Sequence, residues 1–180
     1  MRRRKLLSGT VILYQITAGT ASISSTADVI QIREPGLSAR QLSQLVREVK
    51  QRVTAKVLVN DRTDVALCCG ADGVHLRANS IAPAHLRAIT PPGFIISVSC
   101  HSEEDVIRLE GADYALLAPV FKPLSKADQR KPLGLAALER IARRSRVPVL
   151  ALGGITPANT ASCLAAGAAG VAGITLFRRS

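Results

Sequence analysis

The tripeptide Gly-Ala-Asp occurs at Gly70-Ala71-Asp72 and again at Gly111-Ala112-Asp113, and Gly167-Ala168-Ala169 is a third variant. Each copy follows a stretch of helical character and leads into a short apolar run: Gly73-Val74-His75-Leu76, Tyr114-Ala115-Leu116-Leu117 and Gly170-Val171-Ala172-Gly173-Ile174. A glycine just past a helix end takes the left-handed conformation at no steric cost. Runs that are apolar throughout, rather than alternating, read as strands covered on both faces. A repeated αβ joint of this kind predicts a chain that winds β, α, β, α into a parallel sheet. In a closed parallel barrel the chemistry lies where strands end and loops begin, so the polar residues after each run are the candidates.

Eight such runs follow one another: Val11 to Ile16, Val29 to Ile32, Ala55 to Val59, Val74 to Leu76, Phe94 to Val98, Tyr114 to Leu117, Val147 to Leu152 and Val171 to Leu176. Eight is the number that closes a (β/α)8 barrel of the TIM type, and this α/β fold is the expectation. Leu42, Leu45, Val46 and Val49 have helical period behind the N-cap candidate Ser38. Val106, Ile107 and Leu109 follow Ser102, with Asp105 completing a capping-box variant. Thr156-Pro157 opens another helix with a capping hydroxyl and an N1 proline, and Pro83 lies early in the helix after Ser80. The barrel is expected to be trimmed. Residues Ala18 to Ala27 are rich in Ser and Thr and carry no apolar stripe, so the first helix is stunted or missing. With Phe177-Arg178-Arg179-Ser180 directly after the eighth run, no eighth helix is expected. Residues 1–10 read as a basic tail and 11–180 as one barrel domain. Strands left uncovered by missing helices would expose apolar surface and favour a homo-oligomeric partner.

The formal net charge of +11 favours anionic partners, which include nucleic acid, lipid and phosphorylated small molecules. Aromatic residues make up only 3% of the chain and tryptophan is absent, so the stacking platform of a single-strand binder is missing and nucleic acid is not expected. Cys68, Cys69, Cys100 and Cys163 show neither Cys-x-x-Cys spacing nor a His/Cys cluster, which fits a reducing cytoplasm better than a zinc site or a disulfide framework. The basic start through Leu7 imitates a signal peptide but has no clear cleavage site, and no segment reaches the ~18 apolar residues of a membrane helix.

At the strand ends stand Gln31-Ile32-Arg33-Glu34, Asn60-Asp61-Arg62, His75, Ser99-Cys100-His101, Lys122 to Lys126, Gly153-Gly154 and Thr175. Arginines, a lysine and glycine amides beside the helix start at Thr156 are the groups a phosphate ester requires. The phrases Leu13-Tyr14-Gln15-Ile16-Thr17, Ile30-Gln31-Ile32-Arg33-Glu34, Val59-Asn60-Asp61-Arg62-Thr63-Asp64, Gly70-Ala71-Asp72-Gly73-Val74-His75-Leu76, Ser97-Val98-Ser99-Cys100-His101-Ser102 and Ala151-Leu152-Gly153-Gly154-Ile155 together resemble the thiamine-phosphate synthase/TenI superfamily over nearly the whole chain.

The resemblance implies a site. Gln31, Arg33, Asn60, Ser99 and Lys126 match residues that bind an aminopyrimidine diphosphate, and Gly153, Gly154, Ile174 and Thr175 lie where a thiazole phosphate is held. Asp61 matches one of two magnesium-binding aspartates. The chain departs from the pattern twice: Pro35 stands at a diphosphate-binding lysine, and Arg77-Ala78-Asn79-Ser80 replaces the segment carrying the second aspartate. A proline has neither charge nor donor, and a cation near Asp61 opposes magnesium. These losses point toward the TenI branch, some of whose members tautomerise a thiazole carboxylate phosphate with a histidine base, which His101 matches. The leading expectation is therefore a metal-free tautomerase. The alternatives are a divergent magnesium-dependent thiamine-phosphate synthase and a barrel that binds phosphorylated ligand without turnover. Other readings stand beside these: Asp61 pairing with Arg62 or capping the helix near Thr63, Arg33 pairing with Glu34, His75 as a core histidine, His101 capping the next helix, and the charges around Lys126 as merely solvated.

Overall fold

A computed structural model describes residues 11–17, 23–122 and 130–177. Eight parallel strands, β1 (Ile12–Ile16), β2 (Val29–Ile32), β3 (Lys56–Asn60), β4 (Gly73–Leu76), β5 (Ile95–Cys100), β6 (Tyr114–Leu117), β7 (Val149–Ala151) and β8 (Gly170–Gly173), close into a barrel in sequence order. β8 completes the ring by pairing with β1, with Ile12 opposite Gly170 and Gln15 opposite Gly173. The helices among the described residues are α1 (Ala39–Arg52), α2 (Thr63–Cys68), α3 (Pro83–Arg87), α4 (Glu103–Ile107), α5 (Gly134–Arg144) and α6 (Pro157–Ala165). The trimmed form is seen where it can be described: residues 23–28, between β1 and β2, form turns held by Ser24 and Thr26 and no helix. The basic tail and residues 18–22 lie outside the described residues.

The helix signals act as their chemistry predicts. Ser38 and Gln41 form a reciprocal capping box on α1, whose Leu42, Val46 and Val49 are buried. Ser102 and Asp105 do the same for α4, and Thr156 with Asn159 for α6, where Pro157 opens the helix. Ile107, expected on a buried face, is instead 45% exposed, because α4 is too short to turn a second residue beside Val106 onto the barrel. The last run is also shorter than expected. Its strand stops at Gly173, and Thr175–Phe177 form a 3-10 turn.

The joint glycines take the left-handed conformation, with φ of 64° at Gly70, 84° at Gly111 and 86° at Gly167. The aspartates have a separate task. Asp72 donates its backbone N–H to the Val57 carbonyl and accepts the Val57 N–H on its carboxylate, at 2.8 and 2.9 Å. Asp113 clamps Ile96 in the same two-handed way, and Asp28 clamps Leu13. Three strand pairs, β1–β2, β3–β4 and β5–β6, are thus tied at the N-terminal rim. At the β7–β8 joint Ala169 donates to the Val149 carbonyl but has no side chain to accept in return. Ala169→Asp is expected to supply the fourth clamp and raise the unfolding free energy by about 1 kcal/mol, the usual net worth of one hydrogen bond. A urea midpoint at or below that of the parent would show that the joint cannot take the carboxylate.

Candidate functional site

Side chains along a strand alternate between the interior of the barrel and the helix layer. Tyr14, Ile16, Val29, Leu58, Tyr114, Leu116, Leu150 and Ala172 make the interior cluster. Counting by two from these toward the C-terminal rim reaches Gln31 and Arg33 from Val29, Asn60 from Leu58, and Leu152 and Gly154 from Leu150. The register places His75 opposite Asn60 on one side and Ser97 on the other. Residues scattered from 31 to 154 therefore converge on one mouth.

His75 is 4% exposed and bridges two serines of β5, with Nδ1 2.9 Å from Ser97 Oγ and Nε2 2.8 Å from Ser99 Oγ. Burial, reinforced by the nearby charge of Arg33, lowers its pKa to about 3, so the ring is neutral at ordinary pH. The expectation of a satisfied core histidine holds, and the same histidine reaches the mouth through Ser99. Arg33 is exposed, and its backbone N–H donates to Thr17 Oγ1, which in turn donates to Glu34. The end of β1 thereby positions the start of the loop after β2.

Asp61 differs from both local alternatives. It has φ of 60°, its backbone N–H donates to the His75 carbonyl, and its carboxylate pairs with Arg77 at 2.9 Å. Arg62 turns away to grip Asp64, holding that carboxyl near 2, and α2 begins without a side-chain cap from Asp61. A magnesium site fits this donor set poorly. The one carboxylate expected to ligate is occupied by a guanidinium, and among the described residues no three His, Cys, Asp or Glu side chains gather.

His101 is held at two points. Its backbone N–H donates to Asp105 Oδ2 and its ring Nδ1 lies 2.8 Å from the Ala118 carbonyl. A carbonyl only accepts, so Nδ1 carries a proton. Ser102, not the His101 ring, caps α4.

At Gly153 and Gly154, φ is 91° and 65°. A Cβ on Gly153 would lie 2.7 Å from Pro119, and one on Gly154 2.5 Å from the Lys122 carbonyl oxygen. Close packing against the loop after β6 thus demands glycine here, besides any approach of a phosphate. Asn159 Nδ2 donates to the Gly154 carbonyl and fixes the turn at the start of α6. Ile174 and Thr175 follow β8 beside it, and Lys126 lies outside the described residues. Sequence reasoning missed Tyr14 and Ser97 as buried polar residues beneath the mouth. The strand register aligns Ser97 with His75, and Tyr14 reaches Ser97 across the barrel interior from β1, a contact no local signal announces.

The family model for thiamine monophosphate synthase matches residues 14–177. A thiamine-phosphate synthase of Methanoculleus marisnigri is 47% identical over 154 residues, covering 83% of this chain and 73% of the relative. A putative thiamine-phosphate synthase of Geobacter sulfurreducens is 42% identical, covering 79% of this chain and 70% of its own. Among solved structures, a thiamine phosphate pyrophosphorylase from Pyrococcus furiosus superposes with a TM-score of 0.79 at 30% identity, covering 92% of this chain and 86% of that one. These names favour the synthase alternative over the tautomerase that the departures at Pro35 and Ser80 suggested.

Proposed function

Because the chain belongs to the thiamine-phosphate synthase/TenI family, we propose that its barrel mouth joins an aminopyrimidine diphosphate to a thiazole phosphate. The thiazole nitrogen forms a bond to the methylene carbon of the pyrimidine, the bond from that carbon to the diphosphate oxygen breaks, and diphosphate leaves. The observation that carries this reading is the 47% identity to a relative of that name across four fifths of the chain.

The residues present supply what such a displacement needs. Arg33, Arg77 and Lys122 follow β2, β4 and β6 and bring positive charge to the rim, where negative charge would grow on the leaving diphosphate. Asn60 and Ser99 offer hydrogen bonds to the pyrimidine, Gln31 lies beneath them, and the backbone at Gly153 and Gly154 receives the thiazole phosphate. Magnesium is the family's general companion. Asp61, held by Arg77, suits it poorly as a ligand.

A second reading rests on His101, whose Nε2, the ring nitrogen not held by Ala118, could shuttle a proton in a tautomerisation that needs no metal. One experiment separates the two. Purified protein is given both synthase substrates, with magnesium or with EDTA, and in parallel the thiazole carboxylate phosphate alone. Formation of thiamine phosphate is the expected result. If none forms at any magnesium concentration while the carboxylate tautomerises, and His101→Ala slows that by about 10²-fold, the tautomerase replaces the synthase.

A further inference from the structure

Across the barrel interior runs an unbroken line of hydrogen bonds. Gln31 Nε2 donates to Tyr14 Oη at 3.1 Å, Tyr14 Oη lies 3.0 Å from Ser97 Oγ, Ser97 Oγ 2.9 Å from His75 Nδ1, and His75 Nε2 2.8 Å from Ser99 Oγ. The first four residues are nearly sealed from solvent, at 1%, 0%, 0% and 4% exposure in that order. Ser99, at the rim, is half-buried.

We propose that Gln31, Tyr14, Ser97 and His75 are positioning residues that force the Ser99 hydroxyl to act as a donor toward the bound ligand. The direction follows from counting protons. An amide NH2 has no acceptor capacity, so Tyr14 accepts from Gln31 and must aim its single proton at Ser97. Ser97, having accepted, gives its own proton to Nδ1. A neutral imidazole carries one proton, which is then on Nε2, and it donates to Ser99. Among the described residues the Ser99 proton is left with no acceptor inside the barrel and faces the mouth. The ring stays neutral because burial and Arg33 disfavour the imidazolium.

The consequence is selectivity. An isolated serine hydroxyl can turn its proton aside to greet a donor, whereas this one keeps its proton aimed at the mouth, so an acceptor such as an unprotonated ring nitrogen is matched and an approaching N–H group leaves the Ser99 proton unmatched. An unmatched polar group in a closed site is costly, so the relay discriminates between ligand faces that differ only in donor and acceptor pattern. The direction of the relay is a property of the free protein. Its consequence for the pyrimidine rests on the synthase reading above.

The test is the tautomer of His75, read from proton–nitrogen correlations of the imidazole in 15N-labelled, ligand-free protein. The expected result is a proton on Nε2 and a bare Nδ1, and a shift of population toward the Nδ1–H form in Tyr14→Phe, which removes the proton aimed at Ser97. Binding of thiamine phosphate is measured alongside by calorimetry. Ser99→Ala is expected to weaken it about tenfold, and Tyr14→Phe to weaken it by a smaller factor in step with the tautomer change. A wild-type ring protonated on Nδ1, or a tautomer indifferent to Tyr14→Phe, overturns the proposal. Should wild type carry the Nε2 proton, with Tyr14→Phe shifting it, yet not bind thiamine phosphate, the relay stands and the synthase reading falls.

Discussion

Gly154→Asp should abolish measurable binding of thiazole phosphate, by 100-fold or more, and lower the thermal midpoint as well. Two effects act together. The new Cβ would lie 2.5 Å from the Lys122 carbonyl oxygen and 2.8 Å from Phe121 Cβ, at a φ of 65° that side chains resist. Overpacking and backbone strain each cost about 1–3 kcal/mol. The carboxylate then adds negative charge where the phosphate would rest. Gly154→Ala separates the two, since it brings the same Cβ without charge and is expected to lose stability but keep more of the binding. Calorimetry with thiazole phosphate, and thermal unfolding for both variants, decide the matter. A folded Gly154→Asp protein that binds like wild type would move the phosphate site elsewhere.

Acid should unfold this barrel earlier than its carboxylates alone would. The His75 ring is neutral in the folded protein down to about pH 3, while in the unfolded chain it takes up a proton near pH 6.5. Between those values the unfolded state binds more protons, so stability falls as the pH is lowered through that window. From pH 6.5 to 4 the loss attributable to this one ring is about 3 kcal/mol. Asp72 adds a later limb. Burial pushes its carboxyl up, but hydrogen bonds from Lys50 and the Val57 amide outweigh that and leave it lowered, so its contribution is present above the unfolded carboxylate range and lost below it. Urea midpoints measured from pH 7 to pH 4 should fall steeply in wild type and much less in His75→Gln, whatever that variant's stability at pH 7. Equal slopes would mean that His75 is not held neutral.

The fold was legible because its signals are local. Left-handed glycines at Gly70, Gly111 and Gly167, and caps at Ser38, Ser102 and Thr156, need only near neighbours to act, and the residue types announce them. The mouth was legible only in part. Gln31, Asn60, Ser99 and His101 stand at strand ends and could be picked out one by one. That His75 joins Ser97 to Ser99, or that Asp61 faces Arg77 rather than Arg62, depends on the register of β3, β4 and β5, which no single segment encodes. The glycines at 153 and 154 were found for an incomplete reason, since their crowding by Pro119 and Lys122 comes from a loop more than thirty residues earlier in the chain.

The aspartate clamps of Asp28, Asp72 and Asp113 all lie on the rim opposite Pro35, Arg77 and Ser80. The joints that close the barrel and the residues we assign to the ligand therefore stand at opposite ends of the strands. A substitution at the mouth can remove a lysine or an aspartate without loosening any of these three joints. For anyone redesigning the mouth, the same separation means that loop exchanges on that side leave the three aspartate joints untouched, provided the packing of Gly153 and Gly154 against the loop after β6 is kept.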